Sequence, residues 1–224
     1  MLGSGGHLQW MGLQMILAPL HSFLRSPSLY IGLQRAFGAD RLRRLCLDEF
    51  LRLREGERVL DIGCGPGYIL DYMPRVEYIG FDTEPRYIDY ARRHYSDRGQ
   101  FFCENFAVIH ASKFAPFDAI MLLGVIHHLD DLLAKNLLGL LARCLSGNGR
   151  VVSVDPCFAP GQTRLARFVA ESDRGRFVRT KYAYLQLAEA QFSEVETKIV
   201  TNVCRIPSTE LIMRLSRPRA TDAV

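Results

Sequence analysis

The sequence predicts an α/β fold, doubly wound around a mostly parallel sheet, and three observations support it. Short apolar runs recur at 59–62, 78–81, 119–123 and 150–154, and strands apolar on both faces belong to a parallel sheet buried between two layers. Segments with the apolar spacing of helices lie between them, so strand and helix alternate. Parallel neighbours need crossovers, and right-handed crossovers place helices on both faces.

Each element can be justified in order. The stretch 8–24 is apolar but is interrupted by Pro19 and His21 and is shorter than the roughly 20 residues of a membrane span. No Lys or Arg precedes it, which argues against a secretory signal. A helix packed on the domain is expected there, with peripheral contact to a membrane surface as the alternative; residues 1–6 read as a leader. Ser26-Pro27-Ser28 makes a break before two helices, 29–37 and 40–53. In the second, Leu42, Leu45, Leu47 and Phe50 approximate a stripe, and Glu55-Gly56 stops it.

Residues 1–55 are therefore expected to form a helical cap on a domain spanning 56–224, the two making one globular unit. Within the domain come strand 59–62, helix 68–73, strand 78–81, helix 85–95, strand 101–103, strand 119–123, helix 132–145 and strand 150–154. A largely helical insertion, 157–192, follows. The segments 195–203 and 206–215 alternate like two strands joined by a short turn containing Pro207, which would give an antiparallel edge.

Composition narrows the function classes. At 224 residues, with 48% hydrophobic and 23% charged residues, the chain is an ordinary globular protein and not a disordered one. Its net charge of +4 is carried by two clusters, one of Arg41, Arg43, Arg44, Arg52, Arg54 and Arg58, the other of Arg164, Arg167, Arg174, Arg176, Arg179 and Lys181. Acidic residues interleave with both, so they read as solvated helix faces, and nucleic acid is disfavoured as a partner. The six cysteines show no metal-ligand spacing and read as reduced, mostly packed thiols of a cytoplasmic protein.

The most informative segment is Arg58-Val59-Leu60-Asp61-Ile62-Gly63-Cys64-Gly65-Pro66-Gly67, a strand running into a glycine turn. A dinucleotide turn has G-x-G-x-x-G and holds a pyrophosphate on bare amides. Here the pattern is Asp-x-Gly-x-Gly-x-Gly; Pro66 removes an amide and Asp61 adds negative charge. A ligand with an ammonium group, a sulfonium and no phosphate suits this turn better, and S-adenosylmethionine is one.

The segment resembles motif I of the class I S-adenosylmethionine-dependent methyltransferases. Tyr78-Ile79-Gly80-Phe81-Asp82 is similar to the family's second strand. The run from Phe117-Asp118-Ala119 to His127-His128-Leu129 resembles its fourth strand and loop, and Leu145-Ser146-Gly147 to Val154-Asp155-Pro156 its turn into strand five. The resemblance covers roughly 56–156 and implies a seven-stranded sheet with S-adenosylmethionine as cofactor. It further implies that Asp61 favours the ammonium group and that the backbone at Gly63, Cys64 and Gly65 follows the methionine portion, with Gly67 opening the next helix. Asp82, followed by Thr83, would accept the ribose hydroxyls, Glu104-Asn105 would stand near the adenine, and Gly124 would border the cofactor.

Asp61, Asp82 and His127 all fall at carboxyl ends of strands, where an open α/β sheet binds its ligand. Methyl transfer is an in-line displacement that depends on alignment, and an acceptor losing a proton needs a base. His127 and His128 are the candidates. Asp155 could line the substrate side, with Tyr30, Arg174, Arg179 and Tyr182 as further contacts for an anionic or aromatic acceptor. Pro156-Cys157 is read as chance likeness to a nucleophilic Pro-Cys. The expected activity is methylation of a small organic acceptor at oxygen, nitrogen or carbon. Methylation of RNA or protein, and non-catalytic cofactor binding, are the alternatives. No Asn/Asp-Pro-Pro-Tyr/Phe loop follows strand four, which argues against adenine amino groups. No metal is implied.

Overall fold

The computed structural model describes residues 26–173 and 175–219. The apolar stretch 8–24, with its expected helix or membrane contact, lies outside them, as does Arg174. Helix α1 (Pro27–Phe37) begins with Pro at its first turn and ends at Gly38 in the left-handed region, where α2 (Ala39–Leu45) starts and runs into a π-helical turn, Cys46–Leu51. Then follow β1 (Arg58–Ile62), a 3₁₀ turn (Tyr68–Tyr72), β2 (Glu77–Asp82), α3 (Pro85–Tyr95), β3 (Gly99–Cys103), α4 (Val108–Phe114) and β4 (Phe117–Leu123). After a 3₁₀ turn (Ile126–His128) come α5 (Asp131–Cys144), β5 (Leu145–Phe158), α6 (Arg164–Glu171), β6 (Arg179–Thr180), α7 (Lys181–Glu189), β7 (Phe192–Thr201) and β8 (Thr209–Pro218).

The strand order is β3-β2-β1-β4-β5-β8-β7, with the two-residue β6 beside β5 as an eighth strand. Pairing is parallel from β3 to β5, and β8 is antiparallel to both β5 and β7. The mostly parallel, doubly wound sheet with an antiparallel edge is as expected. The order reverses between β1 and β4, so a crevice opens beyond the carboxyl ends of those strands.

Strand residues alternate between two apolar layers. Leu60, Ile62, Ile120, Leu122 and Val151 pack with Leu138, Leu141, Tyr184 and Phe192, under α5 and α7. Val59, Met121, Val152 and Ile212 pack on the other face with Leu51, Leu70, Ile88 and Ala91, under the π turn and α3. At the amino end of the sheet Arg150, 7% exposed, braces the layers. Its guanidinium donates to the carbonyls of Leu51, Arg52 and Asp118 and to both carboxylate oxygens of Glu57. Burial works against ionisation of Glu57, but these bonds hold its carboxyl below the usual range.

Several elements differ from expectation. The helix expected at 68–73 is a 3₁₀ turn because Gly67, at φ 75°, starts it from the left-handed region and Pro74 closes it at once. Helix α4 was not foreseen: Val108 and Ile109 are exposed, so its apolar residues do not mark one face. β5 extends to 14 residues because β8 and β6 pair along its later part. Among the described residues no helix is long and apolar enough to cross a membrane.

Candidate active site

The glycine turn is pinned to the neighbouring strand. The amides of Gly63 and Cys64 both donate to the Phe81 carbonyl, at 2.8 and 3.0 Å. Gly63 (φ 74°) has no room for a side chain, since a Cβ there would stand 2.8 Å from Val125 Cγ2. Gly65 (φ 56°) is different: a Cβ there would project into open space, so the turn keeps its backbone bare toward the cleft. The Gly65 amide donates to Asp82 Oδ2 at 2.9 Å, and the Glu84 amide donates to Asp82 Oδ1 at 2.8 Å. Turn and acid are therefore bonded directly, although Asp82 lines neither of the two cavities described below. A carboxylate has about four acceptor sites, so a further donor can still be taken beside these amides.

Asp61 is 2% exposed and accepts from the Tyr78 hydroxyl at 2.6 Å. Burial pushes its carboxyl up to about 7, the charge of Asp82 adds to this, and the Tyr78 bond opposes it. With Gly63, Cys64 and Gly65 it lines a small cavity of about 40 Å³. Cys64 is buried, its sulfur against Gly80, and Gly67 packs against Phe101 and Ala91. The bare turn and its acceptors fit a ligand that presents an ammonium group and a vicinal diol.

A larger cavity of about 470 Å³ adjoins it and shares Tyr30, Arg43 and Leu123 with it. Its walls come from α1 and α2, from Gly124, His127 and His128 after β4, from Ala166, Ala170 and Asp173, and from Ser208, Thr209 and Glu210. Arg43 lies over the Tyr68 ring, 4.4 Å from its centroid, and donates to Gln34. Its Nη1 is buried without a hydrogen bond, with Asp40 4.0 Å away.

His127 is 4% exposed and held on both nitrogens, Nδ1 by Asp155 Oδ1 at 2.9 Å and Nε2 by Asp173 Oδ1 at 3.1 Å. Burial disfavours its cation, but the two carboxylates outweigh burial and lift the imidazole to about 9. With a carboxylate at each nitrogen, the ring presents no free nitrogen to the cavity. His128 is exposed on the cavity wall, its ring centroid 4.1 Å from that of His127.

Other expected contacts fall elsewhere. Asp155, 1% exposed, stands behind His127 and does not line the cavity; its Oδ2 is buried without a hydrogen bond. Arg179 is consumed by Asp131 and the carbonyls of Ile126, Phe177 and Leu129. Tyr182 is 70% exposed and accepts from Gln186. Glu104 turns to His110, its Oε2 3.3 Å from Nε2; Glu104, Asn105 and Thr83 are all exposed and line neither cavity. Tyr30 and Gly124 do line the large one. Cys157 is fully buried, and burial pushes its thiol up to about 12, which leaves no nucleophile there.

Four wall residues escaped sequence reasoning: Arg43, Asp173, Thr209 and Glu210. Arg43 was hidden in a cluster assigned to solvent. Glu210 sits in an alternating strand that gave no sign of facing a cavity. Burial pushes its carboxyl up to about 7, with Ser208 opposing and Asp155 adding.

Residues 34–197 match a family described as methyltransferase domain. The chain belongs to this family, which places it among the class I S-adenosylmethionine-dependent methyltransferases. It is 35% identical over 81 residues to a ubiquinone biosynthesis O-methyltransferase of Methylocella silvestris, a match covering 34% of this chain and 32% of that relative. The pyocyanin biosynthetic protein PhzM is similar in structure, with TM-score 0.62 and 17% identity over 84% of this chain and 58% of the other. A TehB-like SAM-dependent methyltransferase from Corynebacterium glutamicum gives TM-score 0.58 and 19% identity, over 89% and 99%. At such identities the structural likeness concerns the fold.

Proposed function

We propose that this protein methylates a small organic acceptor held in the large cavity, at an oxygen or nitrogen atom. One observation carries this reading: the cavity meets the glycine turn through the shared residues Tyr30, Arg43 and Leu123, so an acceptor there would adjoin a cofactor on the turn. Bound S-adenosylmethionine supplies an electrophilic methyl group on sulfur. Asp82 would hold the ribose hydroxyls, Asp61 the ammonium group, and the bare backbone from Gly63 to Gly65 the chain between them. The helices at 26–55 would serve as a cap that completes the acceptor cavity.

Arg43, with a buried donor at the junction, suits an anionic or phenolic acceptor. Glu210 is the wall group best able to take a proton from that acceptor near neutrality. The M. silvestris relative, named as an O-methyltransferase, favours oxygen over the other atoms. Six free cysteines, four of them buried, accord with a reducing cytoplasm.

Calorimetry with S-adenosylmethionine and S-adenosylhomocysteine tests the reading. Heat is expected from both, and its absence from both would remove the assignment. The state of Asp61 adds a pH dependence. A cationic amine requires its carboxylate, so affinity should increase as pH rises through about 7 and be flat in Asp61→Asn. Because folding raises this pKa, its stabilising contribution is complete below the ordinary carboxylate value of 3.8 and is lost as pH rises through about 7. Asp61→Asn should lack that loss in a pH series of urea unfolding.

A further inference from the structure

We propose that His127, His128 and Asp173 form a site for a divalent transition-metal ion of the zinc class on the wall of the large cavity, with Asp155 as the outer carboxylate that orients His127. The ligand atoms of the three residues all lie within 4.8 Å of one another. His127 Nε2 and Asp173 Oδ1 are 3.1 Å apart. Two ligands each about 2.1 Å from one ion stand roughly 3.0 Å apart in octahedral and 3.4 Å in tetrahedral geometry. The gap thus accepts an ion with little movement of either group.

The surroundings match what a metal-binding histidine requires. Such a ring gives its second N–H to a carboxylate, which fixes its orientation. Asp155 does this at 2.9 Å through Oδ1, and the same oxygen accepts the backbone amide of His127 at 3.1 Å. The carboxylate ligand is oriented too, because the Gly175 amide donates to Asp173 Oδ1 at 2.7 Å. Gly175 in turn lies so close on the His127 ring that a Cβ would collide with it, and the Phe177 amide donates to the His127 carbonyl at 3.0 Å. The segment carrying Asp173 is thereby locked to the turn carrying the histidines.

Three protein ligands leave coordination positions open, the pattern of sites that take a further ligand from solvent or substrate. His127, His128 and Asp173 all line the large cavity, so an acceptor's hydroxyl or carboxylate would reach the open positions. Nitrogen and oxygen donors without thiolate suit zinc and cobalt(II). Neither step depends on methyl transfer, and binding of S-adenosylhomocysteine to the same samples reports on that reading separately.

The test is titration of the chelator-treated full chain with zinc chloride by calorimetry, with cobalt(II) followed by visible absorption. One equivalent is expected, with ligand-field bands free of thiolate charge transfer. His128→Gln and Asp173→Asn, both at exposed positions, should each raise the Kd at least tenfold. Asp155→Asn should raise it about 10- to 100-fold. Thermal unfolding of each variant establishes that it is folded. No binding to the parent chain, an unchanged Kd in folded His128→Gln and Asp173→Asn, or a thiolate band assigning the ion to a cysteine would each overturn the proposal. The first result would leave a shared proton as the occupant of the gap.

Discussion

Asp82→Ala is expected to weaken S-adenosylhomocysteine binding by about 100-fold or more. A carboxylate that accepts two ribose hydroxyls makes two charge-assisted bonds, each contributing roughly 1.5 kcal/mol or more, and about 3 kcal/mol corresponds to two orders of magnitude in Kd. The structure adds a second loss. Asp82 also holds the amides of Gly65 and Glu84, so its removal frees the glycine turn that a cofactor would lie on. Asp82→Asn should fall between, because its amide presents donors where the backbone already donates. Calorimetry on both variants decides the matter, and a Kd for Asp82→Ala within twofold of the parent would mean that the ribose lies elsewhere.

Arg150→Ala is expected to cost about 3–5 kcal/mol of folding stability, the range for breaking a buried pair by removing one partner. Five donated bonds would vanish together, three of them to carbonyls at the end of the π turn and the start of β4. Glu57, whose side chain is only 18% exposed, would keep its charge without its partner. The contacts lie at the amino end of the sheet, opposite the cleft, so affinity for S-adenosylhomocysteine should be retained by the folded fraction. Urea unfolding measures the effect, and a loss under about 1 kcal/mol would show that other groups hold this end.

The sheet was legible because its signal is local. Ala119 to Leu123 is continuously apolar and 59–62 is apolar but for Asp61, and the glycine turn needs backbone angles that few other residues adopt. Asp61 and Asp82 were read from the ends of the first two strands, and the structure bonds Asp82 to the glycine turn. The large cavity was legible only in part, through Tyr30, Gly124, His127 and His128. Its remaining polar walls join Arg43, Asp173, Thr209 and Glu210, which come from three distant stretches of sequence and carry no shared spacing.

Arg179 illustrates the opposite failure. An arginine among aromatics suggested anion binding, yet Asp131 and the carbonyls of Ile126, Leu129 and Phe177 consume its donors. His127 was placed correctly at the end of β4, but its chemistry depends on Asp155 and Asp173, 28 and 46 positions further along. Sequence reveals a titratable group more readily than the partners that set its charge.

The position of β8 bears on how the chain is made. A ribosome delivers Thr209–Pro218 after every other described strand, yet this segment belongs between β5 and β7. Until it emerges, β5 keeps an unpaired side, and β7 has no neighbour to receive it. A nascent chain stalled just before residue 209 would therefore carry two open hydrogen-bonding rows, the kind of surface on which chains aggregate or chaperones dwell.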